Sequence, residues 1–271
     1  MRNLPDLLMR DAALAAATNG IVIVDATQPD LPIVYVNQGF ERLAGYRADE
    51  VLGRNCRFLQ GADTDPLAIV EMRTAVAEGR GAKVVLRNYR KDGSPFWNEV
   101  VLSPVTDGER IVNYIGVQLD VTERRQAEEQ VRFLAYHDPL TGLANRARVE
   151  ERLADAIRDA GRVGHQVALL YLHLDHFKDI NDRFGHGAGD ELLRQVTERL
   201  TGIVRPRDLL ARQGGDEFLI ALCDVPADAA AVAAEVAERV TETLRPAFLI
   251  AGEALELSAS VGVSAYPDDA A

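Results

Sequence analysis

The chain has 271 residues, 47% of them hydrophobic, and sets 30 Lys plus Arg against 42 Asp plus Glu for a net charge of -12. That length suits about two domains, each able to bury a core, and the acidic balance argues against a polyanionic partner such as nucleic acid. Apolar runs such as Val167 to Leu172 fall far short of the ~20 residues of a membrane span. Met1-Arg2-Asn3-Leu4-Pro5-Asp6 lacks the apolar core of a signal peptide, so a cytoplasmic location without a membrane partner is expected. Of the cysteines Cys56 and Cys223, the latter sits in the apolar run from Phe218 and reads as a reduced core thiol, so no disulfide is expected.

Leu4, Leu7, Leu8 and Leu14 stand at loosely helical spacing and predict an N-terminal helix over residues 1–16. A first domain over 17–122 then opens with the β-branched runs Ile21 to Val24 and Ile33 to Val36, which read as two adjacent strands. Asn37 starts a helical segment, and Asp65-Pro66 starts another that carries Arg73. Between them lies Gly53-Arg54-Asn55-Cys56-Arg57-Phe58-Leu59-Gln60-Gly61. A lone cysteine is usually a buried small hydrophobe, yet flanking arginines favour a thiolate and anionic ligands. Three further strands follow, Val84 to Leu86, Phe96 to Val100 and Ile111 to Leu119, with Lys91-Asp92-Gly93-Ser94 as the hairpin turn between the first two.

Asp120 to Tyr136 reads as a helical connector, in which Thr122 is expected to cap the helix. Ala127, Val131 and Leu134 stand four and three residues apart, which fits a short parallel coiled coil and equally an ordinary surface helix. From His137 to Ala271 strands and helices alternate, an α/β pattern. Arg212-Gln213-Gly214-Gly215-Asp216-Glu217-Phe218 places two glycines and two carboxylates at a tight turn, where backbone can approach a ligand and acids can hold Mg²⁺ beside phosphates.

The nine residues from Gly53 to Gly61, with Asn88 to Gly93, Pro95 to Asn98 and Gly116-Val117-Gln118, resemble the flavin-binding signature of the LOV subclass of PAS domains. That resemblance implies a blue-light sensor of α+β fold with a five-stranded antiparallel sheet. FMN would be hydrogen-bonded by Asn55, Gln60, Asn88, Asn98 and Gln118, and its phosphate held by Arg57 and Arg73. Cys56 would add covalently to the flavin after light absorption, and Gln118 would turn its amide in response.

The second half is similar to the GGDEF domains of diguanylate cyclases, of nucleotide-cyclase-like fold, which condense two GTP into cyclic di-GMP. The blocks that match are Asp138 to Arg146, Asp175 to Asp182 with Gly185-His186 and Gly189-Asp190, and Gly214 to Phe218. By this resemblance Asn181 and Asp190 read guanine, Phe177 and Lys178 lie by the phosphates, and Asp216 and Glu217 serve metal binding and activation of the 3′-hydroxyl. Arg205 and Asp208 match the family's inhibitory product site. His173 stands where the family carries a metal-ligand Asp, and Asp175, two residues along the strand, is the candidate to replace it. The family's closing helix is missing after Ser264, so the expectation is a C-terminally truncated GGDEF domain continuing, for example, into an EAL domain.

Together these resemblances imply a light-regulated diguanylate cyclase working as a parallel homodimer. The alternative is a light-responsive module whose GGDEF domain binds GTP and regulates a downstream domain.

Overall fold

The structure is a computed structural model and describes residue 12 and residues 14–269. Most of the predicted N-terminal helix therefore lies outside the described residues, although residues 14–16 are helical. The chain divides into two compact units, Met1–Glu128 and Glu129–Ala271.

The first unit contains strands β1 (Gly20–Asp25), β2 (Ile33–Val36), β3 (Ala82–Tyr89), β4 (Pro95–Asp107) and β5 (Arg110–Asp120). They form one five-stranded sheet in the order β2-β1-β5-β4-β3, every neighbouring pair antiparallel. Between β2 and β3 come α1 (Gln38–Ala44), α2 (Ala48–Val51), a 3₁₀ turn (Cys56–Leu59) and α3 (Pro66–Ala77). Side chains alternate across a strand, so Val22 and Val24 of β1, Leu86 of β3, Phe96 of β4 and Tyr114 of β5 are buried. Asn37 is more than a helix start. Its Oδ1 accepts from the amides of Ile21 and Phe40 at 2.8 and 2.9 Å, and its Nδ2 donates to the carbonyls of Leu14 and Asn19 at 3.0 Å.

The connector is a helix, α4 (Thr122–Tyr136), with no buried residue. Thr122 does not cap it as expected. Its hydroxyl accepts from the Trp97 amide at 2.8 Å, and the Asp120 carboxylate takes the Thr122 amide at 2.9 Å. Asp120 is held in place by Arg90, and its carboxylate serves the helix start while the threonine hydroxyl binds the sheet.

The second unit runs α5 (Arg146–Val163), β6 (Gln166–Leu174), α6 (Phe177–Phe184), α7 (His186–Thr201), β7 (Leu209–Gly214), β8 (Glu217–Val225), α8 (Ala229–Leu244), the hairpin β9 (Phe248–Ile250) and β10 (Glu253–Leu255), and β11 (Ala259–Tyr266). Its main sheet has the order β11-β6-β8-β7 with antiparallel neighbours throughout. Strand-helix alternation persists without parallel neighbours because β6 and β7 flank β8, and β8 and β11 flank β6, the interleaved split-βαβ arrangement. Leu170, Leu172 and Leu174 of β6 are buried with Leu192, Val196, Phe218 and Val240 in one core. Tyr171 and His173, on the alternate positions of β6, are exposed. One face of that strand thus packs and the other is free to bear chemistry. No described helix is long and apolar enough to cross a membrane.

Candidate functional site

The first unit encloses a cavity of about 330 Å³. All the predicted flavin-site residues line it: Asn55, Cys56, Arg57 and Gln60 from the segment around the 3₁₀ turn, Arg73 from α3, and Asn88, Asn98 and Gln118 from three adjacent strands. Those three strand amides are buried. Asn98 Nδ2 donates to Asn88 Oδ1 and to Gln118 Oε1, both at 2.9 Å, while Asn98 Oδ1 is buried with no partner. An unpaired buried acceptor costs about 1–3 kcal/mol, so this oxygen is primed for a ligand donor.

The arginines do not make Cys56 a thiolate, contrary to the expectation from their proximity in sequence. Arg54 lies over the Phe58 ring at 4.3 Å, and Arg57 pairs with Asp30 at 2.6 Å. Burial therefore prevails and pushes the Cys56 thiol up to about 11. Both partners of the Arg57–Asp30 pair are more than half exposed, so the guanidinium gives up little if it turns to another anion. Asn55 braces the same loop, accepting from the Arg57 amide at 3.0 Å. Tyr114 was not anticipated. It lines the cavity and donates to the Val76 carbonyl at 3.2 Å, and its period-two spacing with Gly116 and Gln118 was the available signal.

In the second unit the β7–β8 turn carries Gly214 at φ 142° and Gly215 at φ 53°, values that favour glycine. Arg212 fastens this turn: its guanidinium donates to the Gly215 carbonyl at 2.7 and 3.0 Å and to Asp138 at 2.9 and 3.0 Å. Burial opposes the charge on Asp138, but the Thr141 hydroxyl and Arg212 outweigh it and hold the carboxyl below its ordinary value. Asp138, in the block that opens this half, thus acts on the turn although 74 residues separate it from Arg212.

Around the turn, His173 is the cross-strand partner of Glu217, and its Nδ1 lies 3.8 Å from Asp216 Oδ1. The Glu217 carboxylate on the same face holds the Tyr171 hydroxyl above its ordinary pKa. Asp175, the candidate to replace the missing aspartate, is engaged by two serines. Its two oxygens accept from Ser258 Oγ at 2.6 Å and Ser260 Oγ at 2.8 Å, because pairing with β11 brings those hydroxyls to the end of β6. Among the described residues no three His, Cys, Asp or Glu side chains converge to hold a metal ion. With imidazole in place of a carboxylate, these donors do not fit Mg²⁺, which prefers oxygen in near-octahedral array.

The Phe177 side chain is buried in the core, while Lys178 next to it is exposed. Asn181 packs so closely on Gly189 that a Cβ there would meet its Oδ1 at 2.0 Å, and the Phe177 ring at 3.1 Å. Phe177 and Gly189 therefore seat Asn181 next to the exposed Asp190. Arg205 and Asp208 precede β7, at the opposite end of that strand from the glycine turn. Asp208 accepts from the Cys223 amide at 3.2 Å, and Arg205 is exposed. Cys56 and Cys223 are both free.

The two sites define a PAS sensor of LOV type joined to a GGDEF domain. Residues 135–271 match the family described as diguanylate cyclase, GGDEF domain, and residues 18–123 match the PAS domain family. The chain belongs to the diguanylate cyclase GGDEF family. An uncharacterized signaling protein of Caulobacter vibrioides is 37% identical over 260 residues, which cover 94% of this chain and 30% of that protein. Blue-light-activated histidine kinase 1 of Erythrobacter litoralis is 51% identical over 120 residues, 42% of this chain and 33% of its own length. The solved structure of a sensory box/GGDEF family protein from Caulobacter crescentus is 44% identical and covers 50% of this chain and 86% of that one, with a TM-score of 0.48. The chain thus spans about a third of the length of the two curated relatives.

Proposed function

We propose that the chain is a blue-light-responsive signalling protein in which an FMN-binding sensor governs a GGDEF domain that binds GTP and cyclic di-GMP. The observation that carries the sensor half is the buried amide trio with its unpartnered Asn98 Oδ1, whose residues line the same cavity as Cys56. When bound, flavin supplies blue-light absorption and a ring carbon open to a thiol. Asn88 and Asn98 orient the polar edge of the ring, Arg57 and Arg73 meet the phosphate, and Cys56 keeps its proton on sulfur in the dark. Gln118 can exchange amide donor for acceptor, and it lies two residues from Asp120, which holds the start of α4. A change at Gln118 thereby has a short covalent path to the connector. Val131 and Leu134 of that helix are exposed and suit a parallel homodimer.

In the GGDEF domain Asn181 and Asp190 read the guanine base, and Arg205 with Asp208 receives the product. The donor set around His173 favours a nucleotide-binding output over a fast cyclase, since losing one preorganised electrostatic contact typically costs ~100- to 1,000-fold in rate. Absorption spectroscopy and product assays test both halves. The purified protein is expected to be yellow and to bleach reversibly under blue light, and Cys56→Ala to keep flavin but lose bleaching; reversible bleaching in that variant rejects the sensor assignment. Cyclic di-GMP formation from GTP, in light and dark, is expected to be slow and to rise at least about tenfold in His173→Asp. Equal, brisk rates would reject the role given to His173.

A further inference from the structure

The acids of the β7–β8 turn are already answered by the protein. On the open face of β6, His173, opposite Glu217 across the strand pair, stands 3.8 Å from Asp216, and Tyr171, two residues before it, has its pKa raised by Glu217. Asp175 is spent on Ser258 and Ser260. Ordinarily three oxygen-bearing acids at such a turn would leave an excess of negative charge for hard cations to neutralise. Here the third position is an imidazole, and the remaining carboxylates have side-chain neighbours of their own. The base end of the site is preserved: Asn181 is wedged on Gly189, with Asp190 exposed beside it and Lys178 exposed on the same short helix.

Building on the guanine-nucleotide reading above, we propose that this domain takes up a guanine nucleotide without a divalent cation held by the protein. Asn181 and Asp190 hold the base, Lys178 meets the phosphates, and Tyr171 and His173 replace the metal as partners of the turn carboxylates. Nucleotide binding is thereby separated from turnover, and occupancy of the site is the signal the domain can give.

Titration of GTP into the full chain tests this in Mg²⁺, in Mn²⁺ and in EDTA. The dissociation constants are expected to agree within about threefold, and His173→Asp to make Mg²⁺ worth at least about tenfold, or ~1.4 kcal/mol. Asn181→Ala is expected to weaken GTP under all three conditions. If Mg²⁺ or Mn²⁺ tightens GTP on the unaltered chain by about tenfold or more, the cation-free inference is overturned and the nucleotide reading stands. If GTP does not bind under any condition, both are overturned. A folded His173→Asp chain that binds GTP but ignores Mg²⁺ also overturns the inference, because something other than His173 then keeps the cation out. Should that variant not fold, Tyr171→Phe frees Glu217 with little change of shape; a gain of about threefold in Mg²⁺ dependence supports the inference, and no gain overturns it.

Discussion

The two polar sites of this chain are finished to different degrees. In the sensor, Asn98 Nδ2 joins three buried amides, while Asn98 Oδ1 is left without a partner in the wall of the cavity. In the GGDEF domain, by contrast, the carboxylates are half-buried, and Asp175 and Asp138 each have donors from the chain itself. A buried group left without a partner carries a free-energy penalty that a ligand can relieve. A carboxylate already served by hydroxyls has less to gain from a cation, so the first site is primed for its cofactor and the second is poorly disposed to Mg²⁺.

That contrast can be broken most severely at Asp138. Its side chain and that of Arg212 are only 15% and 10% exposed, and removing one member of a buried pair leaves the other charge stranded at about 3–5 kcal/mol. Asp138→Ala is therefore expected to lower the unfolding free energy of the second unit by that amount in denaturant titration; a loss below about 1 kcal/mol would mean solvent already shares the pair.

The burial of the sensor site is sharpened by the chemistry of Cys56. Its pKa of about 11 keeps the thiol form, and the stability tied to it is fully present below the ordinary thiol value and lost as pH rises through about 11. Only thiolate alkylates, so dark labelling of Cys56, mapped by mass spectrometry, should rise about a hundredfold between about pH 8 and about pH 10. A thiol with an ordinary value would gain only about fourfold over that interval, and that outcome would mean that water reaches the sulfur.

The smallest of these effects is expected at the unpartnered oxygen. Asn98→Leu removes the acceptor and the donor to Asn88 and Gln118, and should weaken flavin binding to the apoprotein by about 1–3 kcal/mol, read as flavin release. Unchanged affinity would assign the trio to packing alone.

Much of this was legible in the sequence. β-Branched runs such as Ile21 to Val24 and turn residues such as Asp92-Gly93 mark the strands, because side-chain and backbone sterics are local. The segment Gly53 to Gly61 and the amides Asn88, Asn98 and Gln118 could be singled out as candidates, and His173 stood out as an imidazole among expected acids. The protonation of Cys56 was not legible, since sequence shows arginines nearby but not that Arg54 lies on Phe58 and Arg57 turns to Asp30. Nor was the core position of Phe177, a residue whose neighbours in sequence are polar.

The sequence by itself determined the order of elements and the residue types available to each site, including the imidazole at position 173. Only the tertiary structure decided which groups meet. Asp175 finds hydroxyls 83 and 85 residues away, and Arg212 finds Asp138 74 residues away, because strand register and the docking of the opening block beside β7 bring them together. Hydrogen bonds and burial depend on neighbours in space, and distance along the chain does not encode them.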